Sequence, residues 1–284
     1  MSVDYAGSLG NSKRVDGHLV KLPAAEAIQP NLVHRRCDAE CSYTDCFDVT
    51  DTGKWILAQR RLGCESMSLQ DIVTAAYVRA VAAVPVLRRF VAGRKVFSHN
   101  SIEVVSSFRS YKGYEYSDTL IKTEFEATDT VFDVNRKTGA DMTEADHAGG
   151  DSPLQAYTVN YAKRGRFVRG LVRLLFIVMD FLGILPNRRI AASPFHGSMR
   201  IYNTSALNIG PVTRHLSNIG TVPLVISLGA ARTVNGRNYV DVVYTYDSRV
   251  LEDADMAKVF ECIKTCVEAP SQLEYPPDKV YDDE

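Results

Sequence analysis

Tyr239-Val240-Asp241-Val242-Val243-Tyr244-Thr245-Tyr246-Asp247-Ser248-Arg249-Val250-Leu251-Glu252-Asp253-Ala254-Asp255 reads as a strand that turns into a helix. Val240, Val242, Tyr244 and Tyr246 fall on one face, Tyr239, Asp241, Val243 and Thr245 on the other, as a period of two requires. The acidic patch Glu252-Asp253-Asp255 suits the positive end of a helix. Ala254, Met256, Val259, Phe260, Ile263, Cys266 and Val267 then recur at helical spacing, giving one apolar stripe.

The elements upstream are marked by equally local signals. Val222 to Gly229 is an apolar strand, and Asn235-Gly236 predicts a tight hairpin turn between it and the strand at Tyr239. Ser68-Leu-Gln-Asp71 is a capping box with Asp in place of the usual Glu or Gln. Leu69, Ile72, Val73, Ala76, Ala80, Val81 and Val84 continue it as a helix, and Pro85 stops it. A short hairpin over 85–97, a strand at Ile102–Phe108 and a half-exposed strand at Thr119–Ala127 follow. Near the start, Tyr43, Asp45, Phe47 and Val49 alternate with polar neighbours in a strand over 41–50.

Two stretches are less regular. Residues 135–153 are polar and Gly-containing and read as a loop. There, His147-Ala-Gly-Gly-Asp151-Ser152 spells His-x-x-x-Asp-Ser, a pattern expected to be a solvated loop histidine. Phe167–Leu185 approaches the length of a membrane span, but Arg169, Arg173 and Asp180 interrupt it at a cost in hydrocarbon. Arg166, Arg169 and Arg173 recur at helical spacing, so an amphipathic helix is expected here, buried or at an interface, with a membrane-surface role as the lesser alternative.

Composition bounds the class. The 284 residues are 45% hydrophobic and 24% charged, with 33 basic and 34 acidic side chains, as expected of a soluble globular protein, and the length suffices for one large α/β domain or two small ones. The formal net charge of −1 supplies no bulk field for nucleic acid, and neither nucleic acid nor membrane is expected as a partner. Met1 to Asn11 has no apolar leader core, so a cytoplasmic location with reduced thiols is expected. Cys37, Cys41 and Cys46 match no common zinc spacing, and no metal is expected.

The order of these elements resembles the chloramphenicol acetyltransferase-like fold, as in the catalytic domain of the acyltransferase component of 2-oxo acid dehydrogenase complexes. That family ends a strand in Asp-His-Arg-Val, closely followed by Asp-Gly and the last helix. Asp247, Arg249 and Val250 stand where the pattern wants them. The catalytic His falls on Ser248, the Asp on Glu252 and the Gly on Asp253. Gly197, Ser198, Ile201 and Asn203 match its Gly-Thr-x-x-Ile-Ser-Asn-Leu-Gly segment, where Tyr202 departs from it. The resemblance covers about residue 25 to residue 268.

It implies an α/β fold, an α+β two-layer sandwich with a mixed β-sheet packed by helices, in the CoA-dependent acyltransferase superfamily. The expected organisation is a loosely ordered segment at 1–24, a single acyltransferase-like domain at 25–270 and an acidic tail at 271–284. No lipoyl or peripheral-subunit-binding domain is expected in the residues before the core. Members form homotrimers with active sites at subunit interfaces, where coenzyme A and the acyl partner enter a tunnel from opposite ends.

In the family a His near the C-terminus is the general base, and a hydroxyl from the Gly-Thr segment of a neighbouring subunit stabilises the oxyanion. Carried over, Ser248 replaces the base, Ser198 is the candidate oxyanion donor, and Glu252 is expected to pair with Arg35 or Arg36. Asp247 and Arg249 complete the structural ion-pair set. A Ser hydroxyl cannot accept a proton at neutral pH as imidazole does. The resemblance therefore implies a non-catalytic trimeric scaffold or ligand-binding homologue. The alternative is an active enzyme with a displaced base such as His215 or His196. No covalent cofactor is expected, and coenzyme A or acyl-CoA is the candidate ligand.

Overall fold

The computed structural model describes residues 14–112, 115–147 and 160–283. Among them the strands are β1 (Gly17–Leu19), β2 (Glu40–Asp48), β3 (Arg89–Ala92), β4 (Lys95–His99), β5 (Ile102–Lys112), β6 (Glu115–Phe125), β7 (Met199–Asn203), β8 (Leu224–Val234) and β9 (Arg237–Asp247). The long helices are α1 (Thr50–Arg61), α2 (Leu69–Ala83), α3 (Val131–His147), α4 (Arg166–Phe181) and α5 (Asp253–Glu268). One mixed sheet runs β2-β9-β8-β7-β5-β6, and a small antiparallel sheet runs β1-β4-β3. In the large sheet β7 is parallel to both β5 and β8, and the outer pairings are antiparallel.

The β8–β9 hairpin turns at Asn235-Gly236 with φ of 50° and 78°, the left-handed pair such a two-residue turn requires. Beyond the turn β9 is buried first on one face and then, from Val242 to Asp247, on both. Val240, Val242, Tyr244 and Tyr246 meet the helical layer. The other face is covered by the segment before β8: Leu216 and Val222 pack on Val225, and the Val212 N–H donates to Ser227 Oγ at 3.2 Å.

α2 is the centre of the helical layer. Ser68 and Asp71 close its capping box. It packs against α3 and α5 as well as the sheet, which buries nearly its whole circumference and explains why its sequence is apolar all round. α5 buries Met256, Val259, Ile263, Cys266 and Val267, the predicted stripe; Ala254, at its first turn, stays exposed.

One expectation is corrected. Residues 135–147 are not loop but the body of α3. Thr130 and Asp133 form a second capping box, each side chain accepting the other's backbone N–H at 3.3 and 3.1 Å, and Val131, Val134, Thr138 and Ala145 are buried along one side. Gly139 faces open space, so its helix penalty of about 1 kcal/mol is offset by the packed side. The His147–Ser152 pattern runs from the end of α3 beyond the described residues. Of the segment 1–24, residues up to 13 lie outside the described residues; from Arg14 onward β1 pairs with β4, and Val20 and Leu22 lie in the core. At the other end, within 271–284, the Tyr281 N–H donates to the Ala82 carbonyl and Asp283 pairs with Arg89 at 2.7 Å.

α4 was expected to be buried or at an interface. Within this chain it lies on the surface, with only Phe176 buried. Its C-terminal end abuts the β3–β4 turn, where Gly93 (φ 56°) leaves no room for a side chain, since a Cβ would sit 2.5 Å from the Phe181 carbonyl oxygen.

His99 of β4 is buried and stacks on Phe90 with ring centroids 4.2 Å apart. Burial depresses its pKa from 6.5 to about 3. Between those values the unfolded chain takes up a proton that the folded chain refuses, so stability falls as pH drops through the window, by up to about 1.4 kcal/mol per pH unit. Urea unfolding from pH 6.5 to 3 should show this slope reduced in His99→Leu; an unchanged slope would assign it to other groups.

Candidate functional site

β9 ends in Asp247, whose cross-strand partner is Glu40. The Asp247 carboxylate is buried and accepts from two guanidinium groups. Arg249 donates Nε to Oδ1 at 2.9 Å and Nη2 to Oδ2 at 2.7 Å, and Arg36 donates Nε to Oδ2 at 3.3 Å. Two buried cations share one anion, and the excess charge is met by carbonyl dipoles. Arg36 also donates to the carbonyls of Ser217 at 3.0 Å and Gly220 at 2.7 Å, and Arg249 to that of Val33 at 3.3 Å. Burial lowers the Arg36 pKa, with Asp247 acting in the opposite sense. A guanidinium starts so high that it stays charged.

This corrects the expected Glu252 pair. Backbone N–H groups of Val250 and Leu251 fold back on the Asp247 carbonyl, which sets Glu252 as the exposed residue preceding α5. The Arg36 site is already occupied by Asp247, and Arg35 is exposed. Asp253 accepts the Tyr246 hydroxyl at 2.6 Å.

Ser248 leaves the sheet with both its polar groups on one acceptor: the N–H and Oγ donate to the Ala39 carbonyl at 2.9 and 2.7 Å. It lines a cavity of about 460 Å³ together with Arg249, Glu252, Asp253, Asp255, Glu26, Arg89 and Cys41. Arg249 is engaged by Asp247, and Arg89 by Asp283 and Glu26. Asp255 is paired with Lys258 at 2.9 Å, so the free charge of this wall is that of Glu252 and Asp253. A second cavity of about 280 Å³, lined by His34, Arg36, Asp180 and Asn218, also touches Arg249, so the two abut at the Asp247 cluster.

The remaining predicted residues lie elsewhere in the chain. Ser198 is fully buried, its Oγ donating to the Glu103 carbonyl at 3.0 Å and its own carbonyl accepting from Tyr77 OH at 3.1 Å. His215 is 85% exposed and its Nδ1 lies 2.6 Å from Glu40 Oε1. Because Glu40 is opposite Asp247 in the ladder, its side chain shares the Asp247 face, away from Ser248. His196 is buried, with Nδ1 2.9 Å from Ser193 Oγ and Nε2 3.5 Å from Asp180 Oδ1. Arg14 donates to the same Asp180 oxygen at 2.7 Å. Burial would raise the Asp180 carboxyl, but His196 and Arg14 outweigh it and hold it at about 2. No histidine is among the residues lining the first cavity. Sequence reasoning missed Cys41 and Arg89, which reach that cavity only through strand register and tertiary packing.

No family model matches the sequence, and no curated protein matches it by sequence. Solved structures do match. A probable dihydrolipoamide acetyltransferase from Listeria monocytogenes aligns over 90% of this chain and 92% of its own, at 13% identity and a TM-score of 0.50. The truncated catalytic core of the 2-oxoacid dehydrogenase multienzyme complex from Thermoplasma acidophilum aligns over 89% and 99%, at 10% identity and a TM-score of 0.54. A chloramphenicol acetyltransferase aligns over 86% and 96%, at 11% identity and a TM-score of 0.54. The fold is that of the chloramphenicol acetyltransferase-like catalytic cores.

Removing the Asp247 charge leaves two guanidinium groups buried without a counter-ion. Asp247→Asn should destabilise by about 3 kcal/mol, whereas Glu252→Gln should change stability by less than about 0.5 kcal/mol, both read by chemical denaturation. Equal effects of the two would restore the Glu252 pair.

Proposed function

We propose that this chain is a non-catalytic, trimeric homologue of the CoA-dependent acyltransferases that binds a slender ligand or serves as a scaffold. The observation that carries the reading is Ser248. It occupies the place of the family's base, its hydroxyl donates to the Ala39 carbonyl, and the cavity beside it has no imidazole among its lining residues. The free carboxylates of Glu252 and Asp253 in its wall disfavour a nucleotide diphosphate there and leave a neutral arm of the pantetheine type as the better match. Ser198, buried within one chain, has its hydroxyl on a backbone carbonyl, consistent with a lost oxyanion donor.

A second reading keeps the chemistry with a displaced base. It rests on the His215–Glu40 contact of 2.6 Å, since a carboxylate on one ring nitrogen orients an imidazole to accept a proton at the other. The exposure of His215 and its place on the Asp247 face weigh against its serving the Ser248 cavity. His196, enclosed by Asp180 and Ser193, has no open side from which to take a proton.

Sedimentation equilibrium at micromolar concentration should return a trimer; a monomer would count against this reading. In acyl-CoA transfer and hydrolysis assays the native protein should stay at background. Ser248→His, Glu252→Asp and Asp253→Gly together should raise transfer on the order of 10²-fold or more, the scale of a regained general base. Transfer by the native protein that is abolished in His215→Ala would establish the displaced base instead.

A further inference from the structure

α4 presents its apolar residues to the outside. Its inner side is fixed by Phe176, which packs with Leu185 and Ile190, and by Asp180, which is held by Arg14 at 2.7 Å. The opposite side carries Phe167, Leu171, Leu174, Leu175, Val178 and Phe181, all exposed, with Phe167 at 92% and Leu171 at 59%. Leu182 and Ile184 extend the same apolar surface beyond the helix end, at 41% and 55% exposure. An amphipathic helix on a globular domain normally turns this side inward, and large contiguous apolar surface left outside marks an interaction site.

The charge around this face identifies its partner. Between residues 160 and 192 the sequence has seven cations (Lys163, Arg164, Arg166, Arg169, Arg173, Arg188 and Arg189) and a single acid, Asp180. All seven cations are exposed, while Asp180 is directed inward to Arg14. Helical spacing sets Arg166, Arg169 and Arg173 on the side of Phe176 and Asp180, with Arg166 and Arg173 nearer the Phe181 edge of the apolar stripe, and the other four cations lie at the two ends of the helix. The remainder of the chain is net acidic, so the cations are concentrated here and not spread over the surface. Exposed cations at both ends of a face of Leu, Phe and Val, with Arg166 and Arg173 toward one edge of it, fit the boundary between anionic headgroups and acyl chains, where apolar side chains insert and arginines reach phosphates. Among the described residues no helix is long and apolar enough to cross a membrane, so the helix would lie in the surface plane. We infer that α4 docks this protein on anionic phospholipid bilayers.

The test is flotation of the purified full chain with vesicles of phosphatidylcholine alone or mixed with phosphatidylglycerol. Binding to the anionic vesicles should exceed binding to the neutral ones by about tenfold or more. Leu171→Glu with Leu175→Glu should abolish it, and Arg164→Gln with Arg188→Gln, one cation from each end of the helix, should weaken it about tenfold on anionic vesicles only. These side chains are exposed, so circular dichroism and melting temperature should stay at native values and separate lost docking from lost fold. Failure of the native chain to float with anionic vesicles at low salt overturns the inference, as does a Leu171→Glu, Leu175→Glu variant that floats like the native chain. If the native chain does not float and this variant converts a multimer to monomer, the face belongs to a contact between copies.

Discussion

The carboxylate of Asp247 is the point through which three separated segments are tied. It binds Arg249 two residues on and Arg36 from the N-terminal part of the chain. Through those two groups it reaches the backbone at Val33 and at Ser217 and Gly220. Ions this deep carry a desolvation cost that is met only if every donor has an acceptor, and the carbonyls supply what one carboxylate cannot. The arrangement fixes the direction in which the chain leaves β9, and so the positions of Ser248, Glu252 and the start of α5. The cavity wall follows from that exit, and the acidity of the wall follows from the charges α5 collects at its positive end.

A second buried ionic group governs the other side of the molecule. Arg14, Asp16, Asp180 and His196 form one connected set, with Ser193 closing it on His196. Its effect is rotational. Asp180 sits one helical turn after Phe176 on the same side of α4, and once both are drawn inward Leu171, Leu174, Val178 and Phe181 on the opposite side must face out. Burying that stripe instead would gain about 25 cal/mol per Å² of apolar surface, but would strand Asp180 in solvent and Arg14 without one of its two partners. The outward apolar face is thus a consequence of where one carboxylate is paired.

Features set within a single turn of chain could be read directly. The Ser68–Asp71 box, the Asn235-Gly236 turn and the alternation along Tyr239–Tyr246 depend on neighbours at most four residues away or on a strict period. α3 was open to the same reading: Thr130-Val-Phe-Asp133 is a capping box of the Ser68 type, obscured by Gly139 and the polar residues on its solvent side. The Arg36 pairing was not legible in the same way. Asp247 and Glu252 are both acids near the same turn, and the choice between them rests on backbone hydrogen bonds that close the turn on the Asp247 carbonyl.

The sequence alone determined the strand–turn–helix at the C-terminus, the central buried helix, and the order of elements that resembles the acyltransferase fold. These are properties of local pattern and of residue identity at a position. Only the tertiary structure decided that Asp247 and not Glu252 neutralises Arg36, that Ser198 and His196 are enclosed, that His215 lies on the face away from Ser248, and that α4 turns its apolar side out. Each of those outcomes depends on which distant groups share a buried space. Pairing there is settled by the cost of leaving a charge or donor unmatched, a quantity no local window of sequence contains.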